Sequence, residues 1–567
     1  MQVNELANFE SNIDELQELV SKYDTESFAG FFSFFIKQKI ETDVNTDINK
    51  FESKLKDFLY LIALNVFSSK EGTEKFEFPA HDLSLMADKL NQIKYFNYPQ
   101  NSNEYSDNTV IHEMALRNHF DNGVLSYVEQ DFEKLRRVFS PFEAKIIHDF
   151  GLDVEFIIQI CKEIELISII RAKQYMGFMN SKEFFDFNKR IQTGKMNFSE
   201  SFDLLPEKIQ EAFHSFNYKA YAYLMFKAED LYYSLNDEKV DKFLKLVSTE
   251  PFQSNLIRYY TAESPFETTP LLKLPDGNYL SLYGKQLPIS IYKILYSHLF
   301  NDKNYNVKLR EHRENTLEEK VAEIFRSFFP SKDSLFYENY FVIDGFEQDL
   351  LILYRGNVFI IEVKASKLRE PFRNVGKAIQ RIKTDFKNSI QYGFDQCKRV
   401  EDFFYSDAIV EIKDDRKKTI HTINPKEITN VFSIVVTLER FGSLQTDLQL
   451  LLEKDEDIDY PWCVYIDDLE IFLMTLKKNL KSNMLKFLDF LDCRRQMHGR
   501  IHSVDELDIC ASYMQNPVEF KKIVESDNNF LMFSPYEQGY FDEIYWAGKL
   551  RFKEKALPND FYKYGLK

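Results

Sequence analysis

Cysteine, glycine and proline are scarce in this sequence, and each shortage excludes a class of protein. The 567 residues include five cysteines with no Cys-x-x-Cys pair, which is unlike a secreted disulfide framework. The 17 Gly and 16 Pro are too few for a fibrous or low-complexity chain. The acidic N-terminus also lacks the basic start and apolar run of a signal peptide, so we expect a cytoplasmic protein.

Positive charge and long apolar runs are lacking as well. Lys and Arg number 72 against 90 Asp and Glu, which gives a formal net charge of -18. This balance excludes a protein that coats nucleic acid with its whole surface, so any contact with a polyanion must be local. The most apolar stretch, residues 28–36, is far shorter than the roughly 20 residues of a membrane helix, and we expect no membrane contact.

Aromatic residues and helical periodicity are abundant instead. The chain has 54 Phe and 32 Tyr, and its length predicts more than one domain. Apolar residues recur at helical spacing to about residue 265, after which a Pro-Asp-Gly turn at 275–277 predicts a small hairpin. A change of pattern follows from about residue 310. We therefore predict an α+β multidomain chain with a large all-α N-terminal region.

Four parts are predicted along the chain. A helical domain at 1–265 is the candidate for contact with a protein partner, an activating trigger or a second copy of the chain. A connecting hairpin and helix occupy 266–309, an α/β core 310–475 and a helical C-terminal extension 476–567.

The α/β core is predicted from an alternation of helical and strand patterns. Asn315 and Thr316, with Glu319 three positions further on, form an N-cap and capping-box pattern for a helix at 317–329. A long basic helix is predicted at 374–404. The predicted strands are 335–343, 348–354, 357–365, 430–438 and 461–467.

Three charged residues lie on an otherwise apolar predicted hairpin that turns near Arg355-Gly356-Asn357. A two-residue loop at 355–356 places Asp349 opposite Glu362, whereas a loop at 356–357 places Asp349 opposite Lys364. In both registers Asp349, Glu362 and Lys364 share a face, because side chains alternate along a strand. Charged groups on such a buried hairpin require an explanation.

Phosphodiester hydrolysis is one explanation for this cluster. Two adjacent carboxylates repel each other unless a proton or a cation lies between them, and oxygen ligands suit Mg²⁺ or Mn²⁺. A metal on Asp349 and Glu362 would acidify a bound water, and Lys364 would orient that water or stabilise the transition state. The alternative is an ordinary salt bridge between Lys364 and one carboxylate, which is common on strands.

The order of elements and the Asp-x12-Glu-x-Lys pattern resemble the PD-(D/E)XK nuclease superfamily over about residues 310–475. That superfamily has a core of a helix, a three-stranded meander, a crossing helix and a further strand. The resemblance implies a restriction-endonuclease-like fold and a divalent-metal-dependent endonuclease in which Asp349 and Glu362 are metal ligands and Lys364 is catalytic. Gln348 stands where the name of the motif has proline.

Two further catalytic residues are implied by the same resemblance. Glu318 matches the acidic residue of the first helix and would be a further metal ligand, with Glu319 as the alternative. Gln396 matches the glutamine that members often carry on the crossing helix, with Gln391 as the alternative.

The stretch 364–399 reverses the charge of the chain, with ten basic and three acidic residues, a balance of +7. On the predicted helix, Lys377, Gln380, Lys387 and Gln391 share the polar face. We expect this stretch to contact phosphates of nucleic acid, DNA being favoured, although a solvated helix face is the alternative. The predicted nucleic-acid-binding residues are Lys367, Arg369, Arg373, Lys377, Arg381 and Lys387.

The sequence therefore predicts a metal-dependent nuclease, and the combination with a large helical region resembles bacterial antiviral defence effectors. The alternative is a catalytically inactive nuclease-fold protein that binds nucleic acid or acts as a scaffold. A zinc site at Cys493, His498, His502 and Cys510 is not expected, because the stretch has no close cysteine pair.

Overall fold

The structure is a computed structural model of the chain. It describes residues 3–38, 47–69, 71–77, 80–96, 106–120, 126–252, 257–343, 346–369, 375–479, 482–526, 530–534, 537 and 539–557. Arg373, a predicted phosphate contact, lies outside the described residues, as does most of the polar stretch between residues 97 and 109 that interrupts the N-terminal helical pattern.

Helices make up most of the described chain. In chain order they are α1 Val3–Ser21, α2 Thr25–Gln38, α3 Lys54–Val66, α4 Ala80–Tyr95, α5 Asp107–Phe120, α6 Val128–Phe139, α7 Glu143–Phe150, α8 Val154–Met176, α9 Lys182–Gln192, α10 Phe198–Phe202, α11 Glu207–Tyr218, α12 Glu229–Tyr232, α13 Asp237–Val247, α14 Gln286–Asn301, α15 Asn306–Phe328, α16 Val375–Phe386, α17 Tyr392–Phe404, α18 Ser443–Thr446, α19 Ile466–Asn479, α20 Asn483–Arg495, α21 Glu506–Gln515, α22 Pro517–Glu525 and α23 Gly539–Trp546.

The described strands form three sheets with the orders β1-β4-β3-β2, β11-β10-β7-β6-β5-β8-β9 and β12-β13. Their bounds are β1 Met225–Phe226, β2 Ser248–Thr249, β3 Leu271–Lys273, β4 Tyr279–Ser281, β5 Ser334–Ile343, β6 Phe346–Tyr354, β7 Asn357–Lys364, β8 Val410–Lys413, β9 Thr419–Ile423, β10 Asn430–Thr437, β11 Trp462–Tyr465, β12 Ile501–His502 and β13 Leu531–Met532.

The chain divides into two compact units. The first comprises described residues within 1–98, 123–302 and 553–567, and the second those within 99–122 and 303–552. The first unit is mainly helical, as predicted for the N-terminal region, and carries the four-stranded sheet. Its β3 and β4 flank the Pro-Asp-Gly turn, which confirms the predicted small hairpin. The division into four functional parts stays a prediction.

The seven-stranded sheet is the centre of the second unit. Strands β5, β6 and β7 form an antiparallel meander, and β10 joins β7 in parallel, followed by β11. All eight residues of β7 are buried, as expected for a central strand covered on both faces. Helix α17 packs against β7 and β10, over a core that includes Leu351, Ile360, Phe394 and Val435.

Two helix predictions in this unit need correction. Helix α15 begins at Asn306, so Asn315 and Thr316 lie inside it and do not cap it. The preceding residues are mostly good helix formers, and Leu309 is fully buried, so packing extends the helix by several turns. The basic helix is interrupted by a π-helical turn at Lys387–Gln391 between α16 and α17.

The π turn changes which residues of the basic helix face solvent. Lys377, Gln380 and Lys387 are exposed, as predicted, but Gln391 is buried. The extra residue of a π turn rotates everything that follows it relative to an uninterrupted α-helix. Strands β8 and β9, which extend the sheet beyond β5, were not predicted, because both are short and at least half of the residues in each are polar.

None of the described helices combines the length and the apolar character needed to cross a membrane. All five cysteines are buried and free of disulfide bonds.

Candidate active site

The β6–β7 hairpin adopts the first of the two predicted registers. Leu350 pairs with Ile361 and Tyr354 with Asn357, which leaves Arg355 and Gly356 as the two-residue loop. Both loop residues have positive φ, 46° and 76°, as a type I′ turn requires. Extended by one residue, this register sets Asp349 opposite Glu362.

Asp349, Glu362 and Lys364 are brought into contact at the end of this hairpin. Lys364 Nζ lies 2.9 Å from Glu362 Oε2 and 3.4 Å from Asp349 Oδ2. Asp349 Oδ2 also accepts a hydrogen bond of 2.6 Å from the backbone N–H of Val363. The Glu362 side chain has no solvent exposure and that of Lys364 is only 10% exposed. A compact, buried cluster of two acids and one base results.

Burial dominates the electrostatics of this cluster. It raises the pKa of Glu362 from 4.5 to about 8, and the neighbouring Asp349 carboxylate adds to the effect while Lys364 opposes it. Burial alone would lower the pKa of Lys364, but attraction to Glu362 and Asp349 outweighs it and raises that pKa above its ordinary value. Lys364 is therefore a cation at neutral pH.

Glu318 approaches the cluster from α15. Burial and the charge of Asp349 raise the pKa of Glu318 to about 7. Glu319, the alternative for this position, is exposed, and Glu318 is half-buried. The structure thus brings Glu318 into electrostatic contact with the hairpin residues.

Helix α17 lies against Lys364 at Gly393. A Cβ atom built on Gly393 would lie 2.9 Å from Val435 Cγ1 and 3.3 Å from both Cε and Cγ of Lys364. The absence of a side chain lets the helix approach the strands closely enough to hold Lys364 in place. This role of Gly393 was not anticipated from the sequence.

The two glutamines proposed for the crossing helix have different surroundings. Gln391 bonds with the backbone of Glu453, with its Oε1 accepting at 2.8 Å and its Nε2 donating at 2.9 Å, and it also donates to Asp395. Gln396 is buried, and its Oε1 has no hydrogen-bond partner among the described residues. Gln396 is therefore the glutamine with an unused acceptor.

Tyr340 on β5 is a neighbour of the cluster that the sequence analysis missed. It is fully buried, and its hydroxyl has no hydrogen-bond partner in the described part of the chain. Burial and the nearby Glu362 raise the pKa of Tyr340 well above its ordinary value, and Cys397 and Asp349 contribute. The hydroxyl of a buried tyrosine normally has a hydrogen-bond partner. A tyrosine within a predicted strand is therefore the sequence feature that could have indicated Tyr340.

The cluster has one carboxylate oxygen that suits a divalent cation. Glu362 Oε1 is buried and has no hydrogen-bond partner within the described residues. Among those residues no set of three His, Cys, Asp or Glu side chains is grouped closely enough to hold a metal. Mg²⁺ commonly uses only one or two protein carboxylates and keeps several waters, so two carboxylates such as those of Asp349 and Glu362 would be enough to hold it. Glu318 stays a prediction as a further ligand.

The residues predicted to contact phosphate have different surroundings. Arg369 forms an ion pair with Asp385, with Arg369 Nε 2.8 Å from Asp385 Oδ1, and its backbone N–H donates to the same carboxylate. Lys367, Lys377 and Lys387 are exposed, and Arg381 is half-buried.

Three of the Cys and His residues at 493–510 have buried side chains. The side chain of His498 is buried, and its Nδ1 accepts a hydrogen bond from the backbone N–H of Leu448. Burial and the charge of Arg494 lower the pKa of His498 to about 4. Cys493 and Cys510 are buried thiols.

Comparisons with protein-family models, curated proteins and solved structures found no match to this chain.

Proposed function

We propose that this chain is a metal-dependent endonuclease that hydrolyses phosphodiester bonds of nucleic acid, with DNA as the favoured substrate. The observation that carries the proposal is the buried cluster of Asp349, Glu362 and Lys364, in which Glu362 Oε1 is left without a partner among the described residues. The likeness of the sequence pattern to PD-(D/E)XK nucleases supports the same reading.

Excess negative charge is the physical reason to prefer a cation site to a structural salt bridge. Lys364 supplies one positive charge, whereas Asp349, Glu362 and the adjacent Glu318 supply three carboxyl groups. A buried carboxylate that is not fully paired costs several kcal/mol, so the cluster must take up protons or a cation. The raised pKa values of Glu362 and Glu318 express this cost.

The chain's own residues suit hydrolysis of a phosphodiester. Asp349 and Glu362 would hold Mg²⁺ or Mn²⁺, which when bound supplies an acidified water and offsets negative charge on phosphate. Lys364 has three N–H donors, of which two are directed to Glu362 and Asp349. The third donor is left for a water or a phosphate oxygen. Gln396, with its unused acceptor, is the candidate to orient the water.

A catalytically inactive, nucleic-acid-binding or scaffold protein is the second candidate. It is favoured by one observation, that Lys364 already bonds to both carboxylates and so lowers their need for a metal. In that case the cluster would serve stability only.

Cleavage by the purified full-length protein tests the proposal. Single- and double-stranded DNA and RNA are incubated with Mg²⁺, Mn²⁺ or EDTA, using the native protein and the Asp349→Asn, Glu362→Gln and Lys364→Ala variants. We expect metal-dependent cleavage that each variant lowers by a factor of about 100 or more, because general acid–base and electrostatic groups contribute factors of that size.

The matched control is Glu319→Gln, which removes an exposed carboxylate next to Glu318. It should cleave at the native rate, and all variants should retain the native circular dichroism spectrum. A folded native protein that cleaves none of the substrates with either metal contradicts the proposal and favours the scaffold. We further propose that the helical N-terminal region controls the nuclease in response to a trigger in the cytoplasm of a bacterium.

A further inference from the structure

One stripe of helix α17 carries an exposed aromatic ring beside the candidate active site. Tyr392 is 54% exposed, although it adjoins buried residues on both sides. Lys364 Nζ lies 5.5 Å from the centre of the Tyr392 ring. An aromatic ring with one open face therefore borders the one cation of the cluster.

A second exposed ring, Phe346 on β6, lies beside the far end of this stripe. Tyr392, Gln396 and Arg399 are spaced i, i+4 and i+7, so they lie on one side of α17. The guanidinium of Arg399 lies 4.5 Å from the centre of the Phe346 ring, which is 48% exposed. Phe346 begins β6, three residues before Asp349. The rise of an α-helix separates the two ends of this stripe by about 10 Å.

Arg399 on α17 forms no ion pair with an Asp or Glu among the described residues. Its Nε is buried and has no hydrogen-bond partner among the residues that the structure describes. Most other arginines in the second unit, such as Arg369 and Arg440, form ion pairs with Asp or Glu. A guanidinium that has no acidic partner among the described residues keeps its charge available in a chain of net charge -18, and it marks a place that suits an anion.

We propose that the stripe Tyr392–Gln396–Arg399, together with Phe346, is a binding track for unpaired bases of single-stranded nucleic acid. This inference rests on the proposed nuclease function, and it specifies the substrate class. Tyr392 and Phe346 stack on bases, while Arg399 contacts the phosphate between them. Exposed rings alternating with cations are how proteins bind single strands without reading sequence, and a base within a duplex exposes no face for stacking.

Binding measured without divalent metal tests the track independently of cleavage. Fluorescence anisotropy in EDTA compares a labelled oligothymidylate of about 20 nucleotides with a duplex of the same length, using the full-length chain. We expect tighter binding of the single strand. Tyr392→Leu should weaken that binding by about 5- to 150-fold, and Phe346→Leu should do the same, because stacking on one ring contributes that much per base.

Two variants control for the loss of the ring itself. Tyr392→Phe keeps the ring and should bind within about twofold of the native protein. Tyr405→Leu removes another exposed ring, which follows the C-terminal end of α17 and donates to Glu401, and should not change binding. Duplex binding should be the same in all variants.

The proposal is overturned if the native chain binds duplex more tightly, if it binds no single strand, or if Tyr392→Leu binds like Tyr405→Leu. Cleavage data separate this outcome from failure of the nuclease proposal. If the chain cleaves no substrate but its binding of single strands depends on Tyr392, the binding track stands and the nuclease proposal is wrong. If the native chain and Tyr392→Leu cleave duplex DNA at the same rate, the nuclease proposal stands and the binding track is wrong.

Discussion

Glu362 has the most constrained carboxyl group of the site. Its side chain is fully buried, one oxygen contacts Lys364 and the other has no partner within the described residues. The carboxyl group meets opposing demands, because burial favours its protonated form while a cation ligand must be ionised. A divalent ion would give the second oxygen a partner, so the metal-free protein carries a cost at this position.

This cost should appear in the way the free energy of unfolding depends on pH. In the metal-free protein the folded pKa of Glu362 is about 8, against an ordinary value of 4.5. Below about pH 4.5 both states are protonated. Between pH 4.5 and 8 only the unfolded chain loses the proton, so the free energy of unfolding falls as pH rises. Because Glu362→Gln cannot ionise, its stability relative to the native protein should increase by a few kcal/mol from pH 5 to pH 8.

Urea unfolding in EDTA at pH 5 and pH 8 measures this difference. The control is Glu347→Gln, an exposed position on the same hairpin, whose stability relative to the native protein should be the same at both pH values. A Glu362→Gln effect that is equal at pH 5 and pH 8 would contradict the raised pKa. Saturating Mg²⁺ should reduce the advantage of the variant, since binding stabilises only the protein that has the ligand.

At the scale of elements, the sequence predicted the strands and the hairpin register better than it predicted where the helices begin. The hairpin register could be reduced to two alternatives because Gly356 limits where the chain turns, and one of these was confirmed. The shared face of Asp349, Glu362 and Lys364 followed from strand alternation alone. The fold as a mixed α and β architecture with a large helical N-terminal region was predicted in the same way.

Features that depend on tertiary packing could not be predicted from the sequence. Helix α15 begins nine residues before Asn315 because Leu309 is buried, and a capping pattern at Asn315 says nothing about that burial. Nothing in the local sequence distinguishes the π turn at Lys387–Gln391 from α-helix. Tyr340 joins the site from a nearby strand of the sheet, and Gly393 joins it from a helix packed against the sheet. A pattern along the chain contains neither relation.

The close approach of α17 to the sheet gives a prediction at this scale. Gly393→Ala places a methyl group 2.9 Å from Val435 Cγ1 and 3.3 Å from Lys364 Cε, so helix, valine or lysine must move. We expect the free energy of unfolding to fall by about 1–3 kcal/mol, which is typical of overpacking. Cleavage should fall by about tenfold or more, because a displacement of about 1 Å at a catalytic group has a large effect on rate.

Unfolding and cleavage of Gly393→Ala are compared with those of Gly539→Ala. Gly539 is also helical, but a Cβ there meets nothing within 4 Å, so the substitution should be neutral. Native stability and cleavage in Gly393→Ala would show that α17 does not hold Lys364. A loss of stability with native cleavage would separate packing of the helix from placement of the lysine.

At the scale of the whole molecule, charge is distributed unevenly. The chain has a net charge of -18, whereas residues 364–399 hold ten basic and three acidic residues. A polyanion should therefore be repelled by most of the surface and attracted by one part of it. Because screening is strong beyond about 10 Å at ordinary salt, local lysines should matter far more than the total charge.

Two lysine variants with the same net charge distinguish the effect of a local positive charge on binding from the effect of the chain's total charge. Lys387 lies in the basic stretch, and Lys426 lies in the connection between β9 and β10; both are exposed. Each change to Ala makes the chain more negative by one charge. For Lys387→Ala we expect the slope of log K against log salt to decrease in magnitude by about one, because one fewer counterion is released from the nucleic acid. Lys426→Ala should keep the native slope.

Anisotropy titrations in EDTA over a range of salt concentrations measure these slopes. The effect of Lys387→Ala should be the same for two oligonucleotides of unrelated sequence, since phosphate contacts carry no base information. Equal changes in the two variants would mean that the field of the whole molecule sets the affinity. No change in either would place the bound strand away from Lys387.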